Sequence, residues 1–94
     1  MNKNKHLQRD VINRVVTQYG GSNIRIFGSA ARGDATDSSD LDILIRLEPG
    51  RSLLDLIAMK QDLEDLLGCK VDIVTEAGLS PYLKDNILSE AVSL

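Results

Sequence analysis

The sequence predicts an α/β fold, a small mixed three-stranded sheet with helices packed on one face. Glycine and proline residues divide the chain into pieces whose apolar residues follow helical and strand spacing in turn. A helical piece of about four turns joins the second and third strand-like pieces, which favours a parallel pair with a right-handed crossover. A shorter polar segment joins the first and second pieces, so we expect that pair to be antiparallel.

The 94 residues are long enough for one small domain, spanning 1–94. No apolar run approaches the roughly 18 residues that a membrane span requires. Residues 1–10 are charged and lack the apolar core of a signal peptide. The single cysteine, Cys69, excludes an internal disulfide and leads us to expect a reducing, cytoplasmic location. With one histidine and one cysteine, the composition also excludes a structural zinc site within one chain.

The charge balance argues against nonspecific nucleic-acid binding. Eleven basic residues stand against 14 acidic ones, giving a net charge of −3, whereas such binding needs a basic surface. Aromatic residues make up 3% of the chain and tryptophan is missing, so a stacking platform for single strands is not expected. A substrate phosphate would therefore need another source of positive charge, such as a metal ion.

The first half of the chain predicts one helix, two strands and, between the strands, one short helical turn over 30–32. Apolar residues recur at helical spacing up to Gly20, at positions Leu7, Val11, Ile12, Val15, Val16 and Tyr19. Residues 24–27 are branched or aromatic and predict a strand that ends at Gly28. A polar loop over 34–39 precedes a second strand over 40–47, which Pro49 closes.

The second half predicts a helix, a strand and a final helix. The apolar stripe of the first of these helices consists of Leu53, Leu56, Ile57, Leu63 and Leu67. Gly68 ends that helix, and residues 70–74 form the third strand. Ser80 can cap the last helix, with Pro81 at its first position. Its buried stripe is expected to be Leu83, Ile87 and Ala91.

Three aspartates are expected to meet at one edge of this sheet. Asp40 and Asp42 alternate with the apolar residues of the second strand, and Asp72 does so in the third. Parallel neighbours begin at the same edge, and an antiparallel first strand delivers Gly28 and Ser29 there. Clustered carboxylates repel one another unless a cation joins them, and oxygen ligands favour Mg²⁺ or Mn²⁺. Two such ions can clamp the oxygens of a transferring phosphoryl group.

The spacing of these residues resembles a known signature. Gly28-Ser29, ten intervening residues and Asp40-Leu41-Asp42 resemble the motif of the DNA polymerase beta-type nucleotidyltransferases. The flanking segments 27–33 and 39–45 resemble the minimal nucleotidyltransferase (MNT) domains within that superfamily, which have a palm-like fold. The resemblance implies metal-binding and catalytic roles for Asp40, Asp42 and Asp72. It implies triphosphate contacts for Gly28, Ser29 and Arg32.

The resemblance also implies a function and its partners. Small MNT proteins resemble antitoxins that transfer AMP from ATP to a tyrosine of a HEPN-domain RNase toxin, using Mg²⁺, with a two-ion site expected and Mn²⁺ as the alternative. Binding to a membrane or directly to nucleic acid is not expected. Two alternatives stay open: a non-catalytic antitoxin that occludes its toxin, and the catalytic half of a small-molecule transferase completed by a second chain. The intact aspartates favour catalysis.

Each candidate residue also has a structural interpretation. An Asp-x-Asp pair can consist of solvent-exposed side chains on a strand. An aspartate such as Asp72 can be an exposed side chain at a sheet edge that has no functional role. Ser29 can cap a short helix, and Arg32 can pair with Asp34 or Asp37. The combined motif favours the functional interpretation for all of them.

Overall fold

A computed structural model describes residues 3–28 and 41–94, with side chains from Arg9 onward. Its helices and strands follow in the order α1 (Lys3–Gln18), β1 (Gly21–Phe27), β2 (Leu41–Leu47), α2 (Leu53–Leu67), β3 (Val71–Thr75), a 3₁₀ turn (Glu76–Gly78), α3 (Pro81–Glu90) and β4 (Val92–Ser93). None of the helices in these ranges combines the length and apolar composition that crossing a bilayer requires.

The sheet is mixed, as predicted, but it has four strands in the order β3-β2-β1-β4 instead of three. The β1/β2 pair is antiparallel and the β2/β3 pair is parallel, which confirms both predicted pairings. The additional strand, β4, pairs antiparallel with β1 through Ile26 opposite Val92. The prediction missed β4 because the strand has two residues and neither glycine nor proline separates it from the preceding helix.

The apolar core lies between the sheet and the helices α1 and α2. It consists of fully or almost fully buried side chains from both helices, β2 and β3: Ile12, Val15, Val16, Ile43, Ile45, Met59, Leu63 and Val71. The predicted stripe of α2 was wrong in part, since Leu53 and Ile57 are 70% and 44% exposed. Met59 is buried in the core instead, because it lies at helical spacing between Leu56 and Leu63.

The ends of the last two helices follow the predicted signals, while the body of α3 does not. Gly68 ends α2 in the left-handed conformation, with φ of 71°. The Ser80 hydroxyl accepts a hydrogen bond from the Leu83 amide at 3.4 Å, and Pro81 opens α3. The predicted buried stripe of α3 was wrong: Leu83 is 54% exposed, and Ala91 lies beyond the helix with φ of −68° and ψ of 140°.

Two contacts fix the start of β3 beside the start of β2. The Leu41 amide donates to the Lys70 carbonyl at 2.9 Å. The Glu64 carboxylate, near the end of α2, accepts from the Val71 amide at 3.0 Å and from the Lys60 ammonium at 2.8 Å. These contacts lower the pKa of Glu64 below its ordinary value. The hydrogen bond from Lys60 has the largest effect, followed by the hydrogen bond from the Val71 amide.

We expect the Glu64→Gln variant to be less stable than the wild type at neutral pH. A carboxyl whose pKa is lower in the folded than in the unfolded state stabilises the fold above its unfolded pKa. That contribution is lost as the pH falls through the folded pKa. The difference in melting temperature between wild type and variant should therefore be largest near pH 7 and shrink below about pH 4. Thermal unfolding of both proteins from pH 7 to pH 3 measures it, and a difference that grows in acid would contradict the assignment.

Candidate active site at the N-terminal edge of β2 and β3

Asp42 and Asp72 lie side by side on the two parallel strands. Their Cα atoms are partners in the β2/β3 register, one position after Leu41 and Val71. Because side chains alternate along a strand, both aspartates lie on the sheet face opposite the core residue Ile43. Asp42 is half-buried and Asp72 is exposed. The structure thus brings together two of the three aspartates that the sequence predicted at this edge.

Gly28 lies directly against Asp42. It follows Phe27, which is the β1 partner of Asp42 in the sheet register. Its φ of 73° falls in the left-handed region, where a side chain is unfavourable. A β-carbon placed on Gly28 would also meet the Asp42 Oδ2 atom. Glycine is therefore required here for two independent reasons, and the second connects this turn to the Asp42 carboxylate.

Among the described residues, Glu90 is a further acidic residue beside Gly28, and it is not one of the site residues predicted from the sequence. The Gly28 amide donates a hydrogen bond to Glu90 Oε1 at 2.9 Å. The two residues are 62 positions apart, and the β1/β4 pairing brings them together. One local signal was available: α3 has no basic residue in its last turn, and ends instead on an acidic residue that the helix dipole disfavours.

The middle of the same sheet face is covered. Leu44 has no exposed surface although it lies on the Asp42 side of β2. Its β1 partner is Arg25, whose guanidinium forms an ion pair with Glu76 of the 3₁₀ turn. The Arg25 side chain is 13% exposed. Leu44 and Arg25 are thus covered in the middle of this face, whereas Asp42 is half-buried and Asp72 exposed at the strand starts.

The remaining predicted site residues, Ser29, Arg32 and Asp40, lie outside the described residues, as does the predicted helical turn over 30–32. Within residues 3–28 and 41–94, no group of three acidic, histidine or cysteine side chains is arranged to hold a metal ion. Asp42 and Asp72 are the described members of the predicted ligand set. Two carboxylates on adjacent strands and on one face supply the oxygen donors that fit a hard divalent cation.

Known proteins are similar to this chain over most of its length. The family model described as "Nucleotidyltransferase domain" matches residues 9–94. A Methanocaldococcus jannaschii protein that carries the name of a protein adenylyltransferase is 43% identical over 94 residues, covering 100% of this chain and 99% of its own length. The protein adenylyltransferase MntA of Thermococcus cleftensis is 40% identical over 75 residues, covering 80% of this chain and 76% of its own.

Solved structures give the same fold. A structure described as a minimal nucleotidyltransferase superposes with a TM-score of 0.88 at 43% identity, covering 98% of this chain and 94% of that one. A toxin-antitoxin structure with AMP-PNP superposes with a TM-score of 0.79 at 21% identity, covering 89% of this chain and 69% of that one. At that identity the second likeness establishes the shared fold.

Proposed function

The chain belongs to the nucleotidyltransferase domain family, and we propose that it is an antitoxin that transfers AMP from ATP to a tyrosine of a HEPN-type RNase toxin. The names of the relatives support a protein acceptor, since they are called protein adenylyltransferases. The toxin-antitoxin structures that share the fold support a toxin as the partner. Transfer of AMP to the toxin would inactivate it.

The observation that carries the proposal is the contact of Gly28 with Asp42, beside Asp72. Gly28 has a left-handed backbone conformation that favours glycine, and it lies one residue before Ser29, which the motif assigns to the triphosphate. The Asp42 carboxylate lies directly beside Gly28, and Asp72 lies on the next strand. Phosphate-binding backbone and carboxylates within one small region are the parts that nucleotidyl transfer requires.

Asp42 and Asp72, together with Asp40, would hold Mg²⁺. When bound, Mg²⁺ neutralises charge on the triphosphate and stabilises the charge that develops on the leaving pyrophosphate. In the reaction the tyrosine oxygen bonds to the α-phosphorus, and the bond from that phosphorus to the β-phosphate oxygen breaks. The Asp72 carboxylate, which is exposed, would accept the phenolic proton. Gly28, Ser29 and Arg32 would hold the triphosphate in line with the acceptor.

We expect little turnover of ATP by the protein alone and efficient labelling of the toxin once it is added. The test mixes the purified protein, Mg²⁺ and ATP labelled at the α-phosphate, with and without a purified HEPN-type toxin. Label should appear on the partner, and replacing the acceptor tyrosine with phenylalanine should remove it. The Asp42→Asn variant serves as the catalytically inactive control. Neutralised toxicity without any label would contradict the proposal and favour occlusion.

A further inference from the structure

The carboxylate of Glu90 lies at the start of the turn that the proposed function assigns to the triphosphate. Its Oε1 atom accepts the Gly28 amide hydrogen at 2.9 Å. Glu90 is the last residue of α3, and it is half-buried, whereas most residues of that helix are exposed. Neither the sequence motif nor the metal-ligand set that we predicted contains this residue.

The sheet places Glu90 at this point. The β1/β4 ladder begins with the Leu94 amide, which donates to the Ile24 carbonyl at 3.1 Å. It continues through Arg25 opposite Ser93 and Ile26 opposite Val92. If the same antiparallel register is continued two residues past the Ile26/Val92 pair, it leads to Gly28 and Glu90, which lie just outside the two strands. Beyond the backbone ladder, the Glu90 side chain supplies the acceptor for the Gly28 amide.

The helix dipole disfavours a carboxylate at the position of Glu90. A carboxylate at the C-terminal end of a helix lies near the negative end of the helix dipole. The last turn of α3 contains no basic residue to offset it. A charge-assisted hydrogen bond from a backbone amide compensates for the unfavourable field. The hydrogen bond from the Gly28 amide is therefore one contact that stabilises the Glu90 carboxylate at this position.

We propose that Glu90 is a positioning residue that holds the Gly28 turn in the conformation that binds the nucleotide triphosphate, an inference that rests on the proposed function. Glycine has wide backbone freedom, so φ of 73° at Gly28 must be selected by its contacts. Glu90 fixes the amide of Gly28, and the Asp42 carboxylate occupies the space where a β-carbon would be. Glu90 thus acts on the nucleotide through the turn and does not need to touch it.

The test compares Glu90→Ala and Glu90→Gln with the wild type. Glutamine keeps an acceptor oxygen at the same position and loses the charge, whereas alanine loses both. We expect Glu90→Ala to raise the KM for Mg–ATP about tenfold, with kcat changed less than about threefold, as for the loss of one binding contact. Glu90→Gln should restore KM to within about threefold of the wild type. Asp85→Ala, which removes an exposed acidic residue from the same helix, should leave both constants unchanged.

Hydrogen exchange of the Gly28 amide, followed by NMR, supplies a readout that does not depend on activity. The amide should be protected in the wild type and in Glu90→Gln, and exposed to exchange in Glu90→Ala. Equal impairment of Glu90→Gln and Glu90→Ala would overturn the inference, because the charge would then matter more than the acceptor. An unchanged KM in Glu90→Ala, with amide protection lost, would also overturn it. A wild type that binds no Mg–ATP would contradict the proposed function, and the inference would fall with it.

Discussion

Replacement of Asp42 by asparagine is expected to abolish AMP transfer and leave the fold intact. The substitution removes one carboxylate from beside Asp72 and the Gly28 turn, at the point where the proposed metal ion and triphosphate meet. Without that ligand the charge on the leaving pyrophosphate is not stabilised, so the transfer rate should fall by about three orders of magnitude or more. Single-turnover transfer of labelled AMP to the partner measures the loss.

Thermal unfolding separates loss of ligand binding from loss of the fold. Mg–ATP should raise the melting temperature of the wild type, because a ligand that binds the native state stabilises it. It should not raise that of Asp42→Asn, whose ligand-free stability should match or exceed the wild type since one of two neighbouring like charges is gone. Asp65→Asn, at an exposed position on α2, should behave as the wild type. Equal shifts in Asp42→Asn and the wild type would refute the metal-ligand assignment.

The strand pairings followed from the sequence because each depends on a short, local pattern. Strand β2 alternates Asp42 and Leu44 with Ile43 and Ile45, which fixes the face that each side chain occupies. The fifteen-residue helix α2 is long enough to bring the chain back to the edge where β2 begins. Strand β3 can then run parallel to β2, as the crossover connection predicts. Once these two facts are known, the position of Asp72 beside Asp42 follows from the register.

The end of the chain could not be predicted in the same way. The segment from Pro81 to Leu94 contains no internal glycine or proline, so helical spacing over Leu83, Ile87 and Ala91 was extended too far. The helix ends at Glu90 because the next residues pair with the free edge of β1. A local sequence pattern does not indicate this pairing. Tertiary pairing here outweighs local helix propensity.

The site residues show the same difference between what a local pattern predicts and what tertiary pairing decides. Gly28, Asp42 and Asp72 are neighbours in the structure, as the motif predicted, and their chemical roles stay predictions. Glu90 could not be predicted from the motif because its contact with Gly28 depends on the register of β4. A helix that ends on an acidic residue, against its own dipole, is the feature that could have directed attention to it.

A glycine-to-alanine substitution at Gly28 should impair transfer severely, for reasons that the structure separates. The left-handed φ of 73° would cost about 1–2 kcal/mol of stability for any residue with a β-carbon. The added carbon would also displace the Asp42 carboxylate from its place beside the turn. A shift of that kind in a reacting geometry costs about a hundredfold in rate. We therefore expect Gly28→Ala to lose about two orders of magnitude in single-turnover AMP transfer.

Gly50→Ala supplies the matched control for the backbone cost. Gly50 also has a left-handed φ, of 91°, but a β-carbon there would meet no atom within 4 Å. Both variants should lose a similar 1–2 kcal/mol or so of unfolding free energy, because both place alanine in the same backbone region. Of these two variants, Gly28→Ala alone should lose transfer activity, since Gly28 lies against Asp42 and Gly50 does not. If transfer rates fell equally in the two variants, backbone strain alone would explain the loss. The steric contact between Gly28 and Asp42 would then have no part in catalysis.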